Sequence, residues 1–294
     1  MAALAPSTHR PVASRTLRCG SYLLSLERTL IMGIVNVTPD SFSDGGQFFA
    51  PERAIAHARD LIAEGADILD IGAESTRPGA RLIPVEEELE RLLPVLTGLR
   101  DVRVPISVDT SKPQVMRAVL AGGASMINDV NAMQSDGALA AVRDADCAIC
   151  LMHSKGNPQT MRSLAHYEDV VAEVKAFLTQ RVAACEAADI ARERLVIDPG
   201  FGFAKRSPHT LTLLRELSAL SDVGVPILVG ISRKSTLGKI TGRPDGERVS
   251  ASVAAALLAA QRGAAIVRVH DVGETRDALL VMNAVNDSEY TFHD

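Results

Sequence analysis

At 294 residues, with 47% apolar and 23% charged content, the chain carries enough apolar material for a full core, which excludes disorder for most of it. A formal net charge of −5 argues against nucleic acid as a general partner, and no apolar run reaches the roughly 18 residues a membrane helix needs. Length alone allows two ordinary domains or one large α/β barrel.

Residues 1–26 hold three arginines, four serines and no acid. Pro6 and Pro11 interrupt any early helix and there is no secretory apolar core, so the segment reads as a partly disordered tail rather than a targeting signal. A short hairpin is expected around Arg18-Cys19-Gly20-Ser21-Tyr22. Short apolar runs then recur at 30–35, 67–71, 104–108, 125–127, 148–152, 195–197, 225–229 and 265–269. Helical patterns lie between most of them, at 51–64, 84–99, 112–121, 167–188, 210–220, 250–261 and 274–285, with a weaker one at 136–143. In the first, Ala54, Ile55, Ala58, Leu61 and Ile62 share one face. Strands alternating with helices, with no break in composition, favour a closed parallel (β/α)8 TIM barrel of the α/β class. It forms a single domain over 27–287, followed by a tail at 288–294. An open doubly wound sheet is the alternative; it predicts a glycine fingerprint after the first strand, and none is present.

Cys147 and Cys150 have CxxC spacing but sit on a strand, where side chains three apart point to opposite faces. With Cys19 and Cys185 they read as buried thiols in a reducing cytoplasm.

In a barrel, the C-terminal strand ends meet at one face, which holds the active site. Here those ends carry Asn36, Glu74 to Arg77, Asp109, Asn128, Asp129, His153, Asp198, Ser232 to Ser235, Arg268 and His270. Core packing does not choose such residues. Helix capping explains Asp109 as well as catalysis does, but it explains Asn36, Lys234 and Arg268 poorly, because cations belong at the other end of a helix. Lys234, Arg268, His270 and Arg77 can surround an anion, and guanidinium matches phosphate geometry. Asp109, Asp198 and Asn128 suit a flat heterocycle rich in N–H donors. The residues alone therefore suggest a heterocycle bearing a phosphate group. Blander readings stand beside this one: Phe203 as core, His153 as a satisfied polar residue at the rim, and Glu86, Glu87, Glu88 and Glu90 as a solvated helix face. His57, His166, His209 and His293 read as solvated and without function.

Two loop segments are distinctive: Met32-Gly33-Ile34-Val35-Asn36-Val37-Thr38-Pro39-Asp40-Ser41-Phe42-Ser43-Asp44-Gly45-Gly46 and Asp70-Ile71-Gly72-Ala73-Glu74-Ser75-Thr76-Arg77-Pro78-Gly79. With Ser107-Val108-Asp109-Thr110, Ile127-Asn128-Asp129-Val130, Met152-His153, Gly156-Asn157-Pro158-Gln159-Thr160-Met161, Asp198-Pro199-Gly200-Phe201-Gly202-Phe203, Gly230-Ile231-Ser232-Arg233-Lys234-Ser235 and Arg268-Val269-His270-Asp271-Val272, the chain resembles the bacterial dihydropteroate synthases. These folate-pathway enzymes join a pterin to 4-aminobenzoate.

The resemblance implies that Asp109, Lys234 and Arg268 carry catalysis. It implies a pterin pocket of Asp109, Asn128, Asp198 and Lys234 walled by Met152, Phe203 and Gly230. Arg268 and His270 would bind pyrophosphate, bridged by a Mg²⁺ on Asn36. Thr76 would contact substrate, Arg77 and Pro78 would shape the aminobenzoate site, and Ser235 would receive the aminobenzoate carboxylate. It further implies sensitivity to sulfonamides and a homodimer, for which the alanine-rich face at 250–261 is a candidate interface, while packing in the barrel is an equally good reason for those alanines. Ala73 and Ala204 stand where the family often has glycine; either methyl group is tolerated if φ is negative there, and otherwise the loop must shift. Two other readings are a pterin-binding methyltransferase serving a corrinoid protein and a noncatalytic paralogue. The retained first loop and cation set count against both.

Overall fold

The chain begins with a hairpin of β1 (Thr16–Cys19) and β2 (Tyr22–Ser25), then alternates strand and helix. The first half runs β3 (Leu30–Asn36), α1 (Ala50–Glu64), β4 (Ile68–Gly72), α2 (Val85–Gly98), β5 (Ile106–Asp109), α3 (Pro113–Ala121), β6 (Met126–Asp129) and α4 (Ala138–Val142). The second runs β7 (Ala148–Met152), α5 (Val170–Ala187), β8 (Leu195–Asp198), α6 (Ser207–Arg215), β9 (Ile227–Val229), α7 (Ser235–Thr241), α8 (Val249–Gln261), β10 (Ala264–Val269) and α9 (Val272–Asn286). This computed structural model describes residues 16–37, 50–75 and 79–291.

Strands β3 to β10 are parallel and close into a barrel in the order β10-β3-β4-β5-β6-β7-β8-β9, matching the eight apolar runs of the sequence. The closed barrel, not the open sheet, is the architecture. The pleat then decides what faces inward, because successive side chains alternate sides. Leu30, Met32, Ile68, Met126, Ala148, Cys150, Val196, Leu228 and Ile266 form an apolar cluster inside the barrel. The other face of each strand packs under the helices in a second, larger core. Cys150 belongs to the inner cluster and Cys147 to the outer, as expected for two positions of opposite parity; the four cysteines are free and buried.

The hairpin seals the N-terminal end of the barrel. Leu17 and Cys19 are fully buried in the inner cluster, and Gly20, at φ 62°, makes the two-residue turn that a β-carbon would strain. The described part of the expected tail is thus ordered and belongs to the core; residues 1–15 lie outside the described residues. Among the described residues, no helix is long and apolar enough to cross a membrane.

Glu88 departs from the solvated helix face expected of its run. It is fully buried on α2 and pairs with Lys112 at 2.5 Å, while Lys112 also reaches Glu74 at 3.0 Å. The 3.6-residue period turns one member of a charge run inward, and a partner from the next helix start neutralises it. Glu74 in turn accepts the Ile83 N–H at 2.6 Å, and Arg91 donates to the Ala73 carbonyl at 2.8 Å. This network clamps both ends of the segment that contains Thr76, Arg77 and Pro78, which themselves lie outside the described residues.

The two alanines differ. Ala73 is buried in the outer core and is not among the residues at positive φ, whereas Ala204 is buried at φ 48°. A left-handed alanine costs about 1–2 kcal/mol. Glycine there would relieve that strain but would give up about 0.8 kcal/mol of methyl burial and 0.4–1 kcal/mol through its freer unfolded chain. The terms nearly cancel, which is why alanine persists. Ala204→Gly is expected to change the unfolding free energy by less than about 1 kcal/mol in urea titration.

Candidate active site

Going up one pleat from the apolar layer reaches the chemistry. Two residues beyond Ile68, Met126, Cys150, Val196, Leu228 and Ile266 stand Asp70, Asn128, Met152, Asp198, Gly230 and Arg268, which parity also turns inward. On β5 the inward positions are Ser107, in register with Asp70, and Asp109, in register with Asn128. The barrel therefore changes from oily to ionic within one layer, at the end where the long loops emerge.

Arg268 organises this layer. Its Nε donates to Asp70 Oδ2 at 2.5 Å and its Nη2 to Asp109 Oδ2 at 3.4 Å. Asn128 Nδ2 donates to the same Asp70 oxygen at 3.2 Å. Asp198, beside Met152 in register, accepts the Gly200 N–H at 2.7 Å. Burial pushes the Asp109 carboxyl up to about 7, with the nearby Asp70 charge adding to it and Arg268 opposing. Burial likewise raises Asp198 to about 6 against the Gly200 hydrogen bond and the cations Lys234, Lys205 and Arg268. Carboxylates held this close to neutrality await a cationic or N–H-rich partner. Asp109 does not cap a helix: α3 begins after Lys112, with no side-chain cap.

Lys234 sits immediately before α7, a site where a cation opposes the helix dipole, so capping does not account for it. Its Nζ lies 4.4 Å from the centre of the Phe203 ring, and its stem crosses Gly202, where a β-carbon would come within 3.3 Å of Lys234 Cδ. The preceding Arg233 takes φ 56°, pinned by the Asp271 carboxylate at 3.2 Å and by Ser252, whose hydroxyl accepts the Arg233 N–H at 2.9 Å. Glycine at 230 leaves the inner wall open: a β-carbon there would lie 3.7 Å from Asp198 Oδ2 and 3.9 Å from Arg268 Cδ. Ser235 is exposed on the first residue of α7. His270 pairs its Nδ1 with the Ser232 hydroxyl at 3.0 Å, and Asn36 ends β3 half-buried.

The barrel thus gathers Asp109, Asn128, Met152, Asp198, Phe203, Gly230, Lys234 and Arg268 around one end, with Asn36, Ser235 and His270 at its rim. His153 is buried and satisfied, its Nδ1 2.8 Å from Lys205 Nζ. Burial and the Lys205 charge lower its pKa to about 3, so it is a neutral structural partner. Lys205 also donates to the carbonyls of His153 and Phe203, at 3.2 and 3.0 Å, tying β7 to the loop that carries Phe203. Sequence reading missed Asp70 and Lys205. The one available signal was Asp70, a carboxylate of inward parity inside an apolar strand.

The family of pterin binding enzymes matches residues 32–270. The dihydropteroate synthase of Neisseria meningitidis serogroup B is 50% identical over 281 residues, covering 93% of this chain and 99% of that one. The chain belongs to the dihydropteroate synthases. Among solved structures, the Xanthomonas albilineans dihydropteroate synthase with 4-aminobenzoic acid superposes with a TM-score of 0.88 at 53% identity, covering 93% of this chain and 98% of that one. The Yersinia pestis dihydropteroate synthase in a sulfonamide drug complex gives 0.88 at 43% identity, covering 92% and 99%. The enzyme's family and barrel are therefore those expected from its strand-end motifs.

Proposed function

We propose that the ionic layer at the C-terminal end of the barrel is the pterin site of this dihydropteroate synthase. The enzyme condenses 6-hydroxymethyl-7,8-dihydropterin pyrophosphate with 4-aminobenzoate to give 7,8-dihydropteroate and pyrophosphate. The observation that carries the site is the set of acceptors, buried Asn128 and Asp198 with half-buried Asp109, beside Arg268 and an open glycine wall at 230. Acceptors of this kind take the N–H-bearing edge of a pterin. Met152 and Phe203 close the walls, and Lys234 reaches the ring carbonyl.

The reaction breaks the carbon–oxygen bond at the pterin methylene, with the electron pair leaving on pyrophosphate, and forms a carbon–nitrogen bond to the amine, which then loses a proton. Arg268 and His270 stabilise charge on the leaving group, and Asp109 faces a ring that grows cationic as the bond stretches. The path is dissociative. The arylamine is neutral at pH 7, so no strong base is needed, consistent with a His153 committed to Lys205. Of the residues outside the described ones, the family resemblance assigns Thr76 to substrate contact and Arg77 and Pro78 to the aminobenzoate site; the Ser235 hydroxyl receives the aminobenzoate carboxylate.

Among the described residues there is no cluster of three or more His, Cys, Asp or Glu that could cage a metal. A single amide oxygen, as on Asn36, suits Mg²⁺, which keeps waters and substrate phosphates as its other ligands. The donor set therefore fits Mg²⁺ held jointly by Asn36 and pyrophosphate, where it would neutralise leaving-group charge. A homodimer is supported by exposed Leu258 on α8 and Leu280, Val281 and Val285 on α9. We place the enzyme in the cytoplasm, in keeping with its free cysteines.

The direct test supplies the pterin pyrophosphate and Mg²⁺ with and without 4-aminobenzoate. Pyrophosphate release that depends on 4-aminobenzoate and yields dihydropteroate, blocked by a sulfonamide, is expected. Pterin binding without release would mark a noncatalytic protein.

A further inference from the structure

Asp70 is fully buried on β4, yet it has no place among the ligand-facing groups. Its Oδ2 receives both the Arg268 Nε–H at 2.5 Å and the Asn128 Nδ2–H at 3.2 Å. Its Oδ1 is buried and takes no hydrogen bond among the described residues, and the same holds for Asn128 Oδ1, which is left as an acceptor without a donor. An ionised carboxylate can only accept. The Asn128 amide must therefore turn its NH₂ to Asp70, which leaves its carbonyl oxygen at the opposite end of the group. An asparagine can ordinarily present either face to a ligand; this one cannot.

We propose that Asp70 is a positioning residue of the pterin site: by engaging the Asn128 NH₂ and the Arg268 guanidinium on one oxygen, it fixes Asn128 as an acceptor and sets the hydrogen-bond polarity of the pocket. The inference rests on the reading of this layer as the pterin site and adds a determinant of what that site accepts. Without Asp70, Asn128 could offer N–H groups to an N–H-rich edge, and the pocket would lose its discrimination. Arg268, held by Asp70 at Nε and by Asp109 at Nη2, would keep only its weaker tie at 3.4 Å.

An exchange of the two side chains tests this with nearly isosteric changes. Asn128→Asp keeps an acceptor toward the ligand but sets two carboxylates against each other where a 3.2 Å hydrogen bond stood. If Asn128 matters only for the oxygen it shows the ligand, this variant is tolerated. If the partnership with Asp70 matters, the KM for the pterin pyrophosphate rises about tenfold or more, while the KM for 4-aminobenzoate stays within about twofold. Adding Asp70→Asn to Asn128→Asp restores one NH₂ and one acceptor to the pair with the donor reversed, and is expected to bring the pterin KM to within about fivefold of the parent. An unchanged pterin KM in Asn128→Asp overturns the proposal. So does a double variant no better than Asn128→Asp alone, with thermal unfolding used to verify that both are folded. The parent enzyme is assayed first: absence of turnover there would refute the functional reading itself and not the role of Asp70.

Discussion

Asp109→Asn is expected to lower turnover by about 10²-fold or more while making the unliganded protein more stable. The two effects share one cause. Asp109 is a mostly buried carboxylate facing Asp70 across a single guanidinium, and its pKa is raised by folding to about 7. A carboxyl raised by folding holds its proton longer in the folded state than in the unfolded one. As pH climbs from the unfolded value of 3.8 toward about 7, the unfolded chain releases its proton first, so stability falls across that window and stays low above it. Asparagine removes the cost. Thermal unfolding of the unliganded protein should show a Tm that drops between about pH 4 and 7 in the parent, drops less in Asp109→Asn, and is higher in the variant by roughly 5 °C at pH 8. Activity runs the other way. The ionised form faces the cationic ring, so kcat/KM for the pterin substrate should rise with pH toward about 7 in the parent, and the variant should lose the part of that rise near 7 and keep the Asp198 ionisation near 6. Full turnover in Asp109→Asn would remove this residue from the mechanism.

The same cost explains why sequence exposes some of this site and hides the rest. Each of β3 to β10 falls on an apolar run, because a strand buried on both faces must be apolar. The strand-end residues were visible because polar groups at such positions have no packing reason to be there. Asp70 lies inside a strand, and its partner Arg268 is 198 positions away; the neutralising charge that makes its burial tolerable is set only when the barrel closes. Glu88 was misjudged for a related reason: in a run of four acids, periodicity gives the inward one no distinguishing mark, and Lys112 comes from another segment. Lys205 belongs to a loop with no period at all. The helix that Lys234 precedes was legible only at its start, because α7 spans seven residues, too short to show a period. Ala204 shows the converse limit, since its identity left the sign of φ open and the turn imposes 48°. What was illegible is pairing between distant charges and backbone conformation in tight loops; what was legible is pattern along one segment.

Lys234→Ala is expected to cost about 10²-fold or more in kcat/KM for the pterin substrate, for reasons that separate it from Asp109. Three constraints converge on this side chain: Arg233 before it is fixed in a left-handed conformation by Asp271 and Ser252, Gly202 makes room for its stem, and the Phe203 ring lies under its ammonium. Such confinement of a flexible cation pre-sets its position before ligand arrives, and preorganised charge needs no rearrangement in the transition state. Removing it also acts on Asp198. Burial raises that carboxyl to about 6, and Lys234 is the first of the cations holding it from going higher. Without Lys234 the Asp198 pKa must rise, so the part of the acidic limb that Asp198 sets near 6 should move to higher pH, whereas Asp109→Asn removes the part near 7. Turnover and pH profile measured together on both variants therefore distinguish their roles. Unchanged turnover would exclude Lys234 from catalysis, and a lowered rate with an unmoved limb would leave it a ligand to the substrate that does not act through Asp198.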